Sequence, residues 1–149
     1  MKKYQVIKTF GAERGFSCAF RQWRADSDCK FIHGYSLGFK LVLEAEKLDD
    51  KSWVYDFGAF DHIKKWIKDN FDHTYIIASD DPELDLLKEI GKRDVAKIIE
   101  LDSVGCESFA EMTYDFASKY ISNKTEGRVN LISVEVFEHG ANSAVFKSL

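Results

Sequence analysis

Ser36-Leu37-Gly38-Phe39-Lys40-Leu41-Val42-Leu43-Glu44-Ala45 is the stretch that decides the architecture. Leu37, Phe39, Leu41 and Leu43 recur at every second residue, the period of a strand with one face on a core. Upstream, Tyr4 to Phe20 reads as β structure interrupted by the turn-forming Gly11-Ala-Glu-Arg-Gly15. In its second half Phe16, Cys18 and Phe20 share one face, while Ser17, Ala19 and Arg21 share the other. Trp23 to Asp28 is polar and reads as a loop.

Downstream the period changes. Asp56 caps a predicted helix from Phe57 to Phe71, with Phe57, Phe60, Ile63, Ile67 and Phe71 as one apolar stripe and His62 off it in solvent. Tyr75 to Ala78 and Lys97 to Leu101 read as short strands. Between them, Asp81-Pro82 through Ile90-Gly91 reads as a short helix with a cap, a first-turn proline and a terminal glycine. Ser108-x-x-Glu111 has the form of a capping box opening a third helix striped by Phe109, Met112, Phe116 and Tyr120. Arg128 to Glu138 is the last expected strand, with Val129, Leu131 and Ser133 on one face and Ile132, Val134, Val136 and Glu138 on the other. Long β segments at both ends and helices between them give an α+β fold, an antiparallel sheet with helices on one face.

The whole chain, residues 1–149, reads as a single domain long enough to bury roughly 70% of its unfolded surface. A net charge of −4 argues against a nucleic-acid partner, which would want a basic face. No apolar run approaches the ~20 residues of a membrane span, and no signal-peptide core follows Met1. Three cysteines, an odd number without such a core, point to free thiols in a reducing cytoplasm.

Several positions carry chemistry. Glu138 puts a carboxylate on an apolar strand face, where it either accepts N–H bonds from an amidine-like edge such as that of a pterin or guanine, or reaches water at the strand end. Cys29 and His33 bring a thiol and a base to one loop–strand junction, with Arg24 and Lys30 as cationic neighbours; the alternative is an inert core thiol. Asp72-His73 couples an acid to an imidazole just past a helix, as a proton-transfer pair or as a histidine favoured by the helix dipole. Glu107 is a first-turn acid. Arg21, Arg24 and Lys30 form either a phosphate-binding cluster or a solvated loop shared with Asp26 and Asp28.

Taken in order, Phe16-Ser-Cys-Ala-Phe20, Cys29-x-x-x-His33-Gly34-Tyr35, Asp56-Phe57-Gly58, Asp72-His73, Cys106-Glu107-Ser108 and Glu138-His139 resemble the 6-pyruvoyltetrahydropterin synthase / 6-carboxytetrahydropterin synthase family, over about Val6 to Phe146. The resemblance implies the tunnelling fold, a four-stranded antiparallel sheet with helices on one face. Its subunits join as trimers into a barrel, usually pair as hexamers, and form active sites at their interfaces. It further implies a small-molecule substrate, 7,8-dihydroneopterin triphosphate, and a product, 6-carboxytetrahydropterin, formed with acetaldehyde and triphosphate in queuosine (7-deazapurine) precursor synthesis. The other activities kept open are 6-pyruvoyltetrahydropterin synthesis, a metal-independent dihydropterin side-chain lyase and a non-catalytic pterin- or purine-binding module. By position, Cys29 resembles the catalytic thiol, Asp72 and His73 its partner dyad, and Glu138 the anchor of the pterin ring; Cys106 and Glu107 fall in the segment lining the ring pocket.

The same resemblance implies zinc on three histidines, one ending a Phe-Ser-x-x-His motif and two in His-Gly-His. Here Phe20 and Tyr35 stand at two of those positions and His33 alone is retained. Catalytic zinc ordinarily takes three protein ligands, and one imidazole cannot hold it at useful affinity. Cys18 with Cys29 or Asp28 is the substitute set the sequence offers. Tyr35, by its position, is a candidate hydrogen-bond donor to a developing oxyanion.

Overall fold

The computed structural model describes residues 1–149. Seven strands form one sheet: β1 (Tyr4–Phe10), β2 (Phe16–Phe20), β3 (His33–Ala45), β4 (Thr74–Ala78), β5 (Lys97–Leu101), β6 (Val129–His139) and β7 (Asn142–Lys147). Three helices accompany it, α1 (Asp61–Phe71), α2 (Leu84–Lys92) and α3 (Cys106–Lys124). The order across the sheet is β5-β4-β2-β3-β6-β7, with β1 also on β3.

β3 is the spine. Its first half pairs antiparallel with β2 and its second half with β1 along the same edge, while β6 runs antiparallel along the other edge. β1 and β2 are thus one strand broken at a 3₁₀ turn, Ala12–Arg14, which Gly15 leaves at φ 78°. That conformation suits glycine because it has no Cβ to clash. Leu37, Phe39, Leu41 and Leu43 are fully buried, as the alternation required.

The expected sheet of four antiparallel strands is corrected in two ways. β7 adds an antiparallel strand beside β6, and β4 and β5 extend the other side as parallel neighbours of β2, so the sheet is mixed. Nor are the helices confined to one face. α1 and α3 cover the face carrying Phe16, Cys18, Phe20, Leu37 and Phe39, which holds the main core. α2 covers the opposite face of β4, packing Leu87 on Tyr75 and Ile77. β4 is buried along its whole length because both faces are covered.

β6 departs from simple alternation. Its register against β3 passes from Val42↔Ser133 to Leu43↔Leu131, so Ile132 is an extra residue in a β-bulge. The bulge brings Val129 and Leu131 onto the same buried face as Val134 and Val136, where unbroken alternation had set them apart. The helix starts also shift. Asp56 does cap, accepting from Gly58 N–H at 2.8 Å, but it caps a 3₁₀ turn, Phe57–Phe60, leading into α1, and Phe57 stays exposed. α3 opens at Cys106 behind Gly105, not at a capping box: Ser108 Oγ bonds Ser103 Oγ instead. Asp81 Oδ1 accepts from Glu83 N–H at 2.9 Å while the carboxylate pairs with Arg21, so it caps the turn leading into α2 and not the helix itself, and Gly91 lies inside that helix. His62 is exposed, as expected, and its ring stacks on Tyr120 at 4.5 Å and lies 5.9 Å from Phe116, on the outer side of α1 and α3.

Candidate active site

β2, β3 and β6 end together beneath the first turn of α3, and a cavity of about 290 Å³ opens there. That is near the lower end of small-molecule pockets, roughly 300–1,000 Å³. Its walls bring together residues far apart in the chain: Cys29, His33, Tyr35, Cys106, Glu107 and Glu138. Six of the residues singled out in the sequence as catalytic, binding or metal-ligating therefore converge. Asp72 and His73, and the substitute ligands Cys18 and Asp28, do not line the cavity.

Glu138 reaches it because β6 carries its core face past Val136 toward the mouth, and because β6 and β7 slip register between Phe137 and His139, leaving Glu138 out of the ladder. Its carboxylate is half-buried and accepts no hydrogen bond from the protein side chains around it, so its acceptor capacity is turned to the cavity. Opposite, Gly105 enters α3 at φ 143°, and the first-turn N–H groups that a helix leaves unpaired belong to residues on the cavity wall. A carboxylate facing helix-end donors can hold the donor edge and the acceptor edge of one flat heterocycle.

Cys106 takes the first position of α3, where a helix would lower a thiol's pKa. Burial overrides this, with the charges of Glu138 and Glu107 behind it, and pushes the thiol up to about 12. Cys18 is likewise pushed up to about 12, first by burial and then by Cys106 and Asp72. Both are neutral thiols near neutral pH. Cys29 differs: it sits on an exposed 3₁₀ turn, Asp28–Lys30, held by Ser27 and by its carbonyl accepting from Gln22 N–H. The inert-core reading of Cys29 is therefore corrected.

The cationic cluster is dispersed. Arg21 forms a bidentate pair with buried Asp81, at 2.9 Å and 2.7 Å. Arg24 pairs with Asp80 and lies 4.0 Å from the Trp23 ring, and the Lys30 ammonium sits over Phe31. No lysine or arginine lines the cavity.

Phe20, His33 and Tyr35 converge on one spot, since Phe20 pairs directly with His33 and Tyr35 follows two residues on along the same face. They do not fit a zinc ion. The Phe20 and Tyr35 rings stack at 4.5 Å and 19°, and Phe109 closes edge-on against Phe20 at 5.2 Å. His33 Nδ1 lies 2.7 Å from the Phe31 carbonyl, which can only accept, so Nδ1 carries the proton. The remaining lone pair, on Nε2, accepts the Tyr35 hydroxyl proton. Burial, reinforced by Glu138, pushes the Tyr35 phenol up to about 12, so it does not become an anionic ligand. Nowhere in the structure do three His, Cys, Asp or Glu side chains gather in a metal-holding group, and the substitute set of Cys18 with Cys29 or Asp28 does not form. Tyr35 is also not the free donor the sequence suggested, because its proton is committed to His33.

Asp72 and His73 stand elsewhere. His73 sits just past α1 at φ 57°, left-handed for a non-glycine residue. Its N–H donates to the Ser17 carbonyl at 2.6 Å, and its Nδ1 bonds Asp72 Oδ1 at 2.8 Å. The imidazole is 86% exposed while Asp72 is 15% exposed, an oriented ring presented outward. Ser17 and Phe20 are three residues apart on β2, about 10 Å at ~3.3 Å per residue, and Cys29 lies beyond the Phe20 end. Pocket residues missed in the sequence are Gln22 and the β7 residues Asn142 and Ser143; polar loop context hid the first, and the short pattern of β7 the others.

Comparison with known proteins bears on the family and the fold. The family model described as 6-pyruvoyl tetrahydropterin synthase matches residues 10–148. A 6-carboxy-5,6,7,8-tetrahydropterin synthase of Rickettsia conorii is 37% identical over 70 residues, 46% of this chain and 51% of the relative, so the match spans about half that relative's length. One from Aquifex aeolicus is 24% identical over 97% of this chain and 98% of its own. Among solved structures, an uncharacterized Wolinella succinogenes protein superposes with a TM-score of 0.85 at 20% identity, covering 100% of both chains. No helix is long and apolar enough to cross a membrane.

Proposed function

The chain belongs to the 6-pyruvoyl tetrahydropterin synthase family, and from that premise we propose that it is a 6-carboxytetrahydropterin synthase-like lyase. It converts 7,8-dihydroneopterin triphosphate and water to 6-carboxytetrahydropterin, acetaldehyde and triphosphate, a step toward 7-deazapurine precursors such as that of queuosine. The observation that carries the reading is the convergence of Cys29, Glu107 and Glu138 with the α3 first turn around one heterocycle-sized cavity.

Glu138 accepts the ring's amidine N–H groups, and α3 backbone donors meet the ring carbonyl. Charge-assisted hydrogen bonds of this kind are worth about 1.5–3 kcal/mol each. Cys29, at the open side, takes and returns a proton at the side-chain carbons. His73, aligned by Asp72, handles the second proton, and general acid–base catalysis of this kind contributes on the order of 10²–10⁴-fold. The strained φ of His73 supports a role, since such strain clusters at functional positions.

Cys29 and His73 face different regions of one chain, so a site using both takes them from two copies. A head-to-tail interface between copies closes into a ring when the rotation permits. That supports a trimer, alone or paired as a hexamer, with sites between subunits. The aromatic filling around Tyr35 favours, as a second reading, a metal-independent cleavage of the dihydropterin side chain.

Incubation of purified protein with 7,8-dihydroneopterin triphosphate tests this. The expected products are 6-carboxytetrahydropterin and acetaldehyde, lost in Cys29→Ala while pterin binding persists. Unchanged turnover in Cys29→Ala would remove the thiol from the mechanism, and a different pterin product would favour the second reading.

A further inference from the structure

The position at which relatives would hold a metal has changed character, and the geometry shows into what. We infer that this chain has converted it into a metal-free hydrogen-bond acceptor: the Tyr35 hydroxyl, its proton held by His33 Nε2, presents a lone pair to the cavity.

Three observations lead there. The strand pairing converges residues 20, 33 and 35 on one spot, so side chains there share one small volume. That volume is filled by stacked rings, with Phe20 held between Tyr35 on one side and Phe109 on the other. The proton inventory is then closed. His33 Nδ1–H goes to the Phe31 carbonyl, and the Tyr35 O–H goes to His33 Nε2. A ligating imidazole characteristically gives one N–H to a backbone carbonyl and keeps the other nitrogen for the metal. His33 is oriented in that way, and a phenol hydroxyl has taken the ion's place.

The consequence concerns what the cavity selects. A Lewis acid there would draw a ligand oxygen by its lone pair. Tyr35 Oη, having given its proton away, draws a ligand donor instead. With Glu107 and Glu138 as the cavity's charged groups and no lysine or arginine among its walls, the site favours a ligand rich in O–H and N–H. On the proposed pterin reading, on which this part rests, Tyr35 meets a side-chain hydroxyl and distinguishes it from the carbonyl form.

Equilibrium dialysis against zinc chloride, followed by metal analysis, tests the conversion without any pterin. Wild type is expected to retain far less than one zinc per chain. Phe20→His combined with Tyr35→His is expected to retain one, lost again when His33→Ala is added. One zinc per chain in wild type, removed by His33→Ala, would overturn the inference. So would a double variant with native circular dichroism that takes up none, because the three positions would then not converge on one ion. For the acceptor role, Tyr35→Phe should weaken 7,8-dihydroneopterin about tenfold and leave side-chain-free 7,8-dihydropterin unchanged. Equal effects on the two pterins would contradict it. If wild type binds neither pterin, the functional reading fails, while the zinc result still decides the conversion.

Discussion

The two ends of β2 differ in what they can do. At the Phe20 end lies a walled cavity with a carboxylate anchor, an exposed thiol and helix-end donors. At the Ser17 end, Asp72 and His73 form an oriented acid–imidazole pair outside that cavity, its ring turned to solvent. One end can hold a ligand and lacks a free imidazole, since both nitrogens of His33 are engaged; the other has the imidazole and nothing to hold. The strand spaces the two ends apart and ties each to the main core through Phe16, Cys18 and Phe20. If the proposed reaction uses both Cys29 and His73, this separation argues that two copies supply them.

Substitutions at the two ends should separate along that line. The largest effect is expected on turnover, where Cys29→Ala and His73→Ala each lower kcat by on the order of 10²–10⁴-fold. Glu138→Gln should act at the cavity end alone. Replacing the charged acceptor by an amide weakens pterin binding by about 2 kcal/mol, roughly 30-fold, measurable by calorimetry, whereas His73→Ala should leave affinity unchanged. A comparable loss from both would erase the distinction between the ends.

The smallest effect on function, and a clear one on stability, is expected just past the end of β2, outside the cavity wall. Arg21 leaves β2 on the α2 side and pairs with Asp81, whose side chain is 1% exposed. The Arg21 hydrogen bonds hold the Asp81 carboxyl below the usual range. A lowered folded pKa contributes stability that is present above the unfolded value, about 3.9, and lost as pH falls through the folded one. Asp81→Asn should therefore unfold about 2 kcal/mol more easily across pH 5–8. The gap to wild type should narrow below about pH 4, with pterin affinity retained. A gap that stays constant into acid would assign the loss to packing instead.

Much of this was readable beforehand, and the reasons for the rest are physical. Strict alternation from Leu37 to Leu43, and Phe60 with the α1 positions Ile63, Ile67 and Phe71, identified the core because one face of each is buried. Val129 and Leu131 were assigned to the wrong face because a bulge at Ile132 adds one residue, and period-two reasoning carries no signal for it. β7 went unseen because six residues after a glycine turn make too short a pattern. Ser108 read as a cap because motifs report local chemistry, and Gly105 had already started the helix three residues earlier. The site came from motif order: spacing along the chain could not tell that Cys29 and Glu138 meet while Cys29 and His73 do not.

The central claim, that the Cys29 and His73 ends meet across copies, is tested most directly by mixing. Cys29→Ala and His73→Ala, each inactive alone, should regain about a quarter of wild-type turnover when co-refolded at equal amounts, since random mixing in a head-to-tail ring leaves that share of interfaces intact. Mixed oligomers, verified by affinity capture of one tagged variant, that remain as inactive as either parent would contradict it.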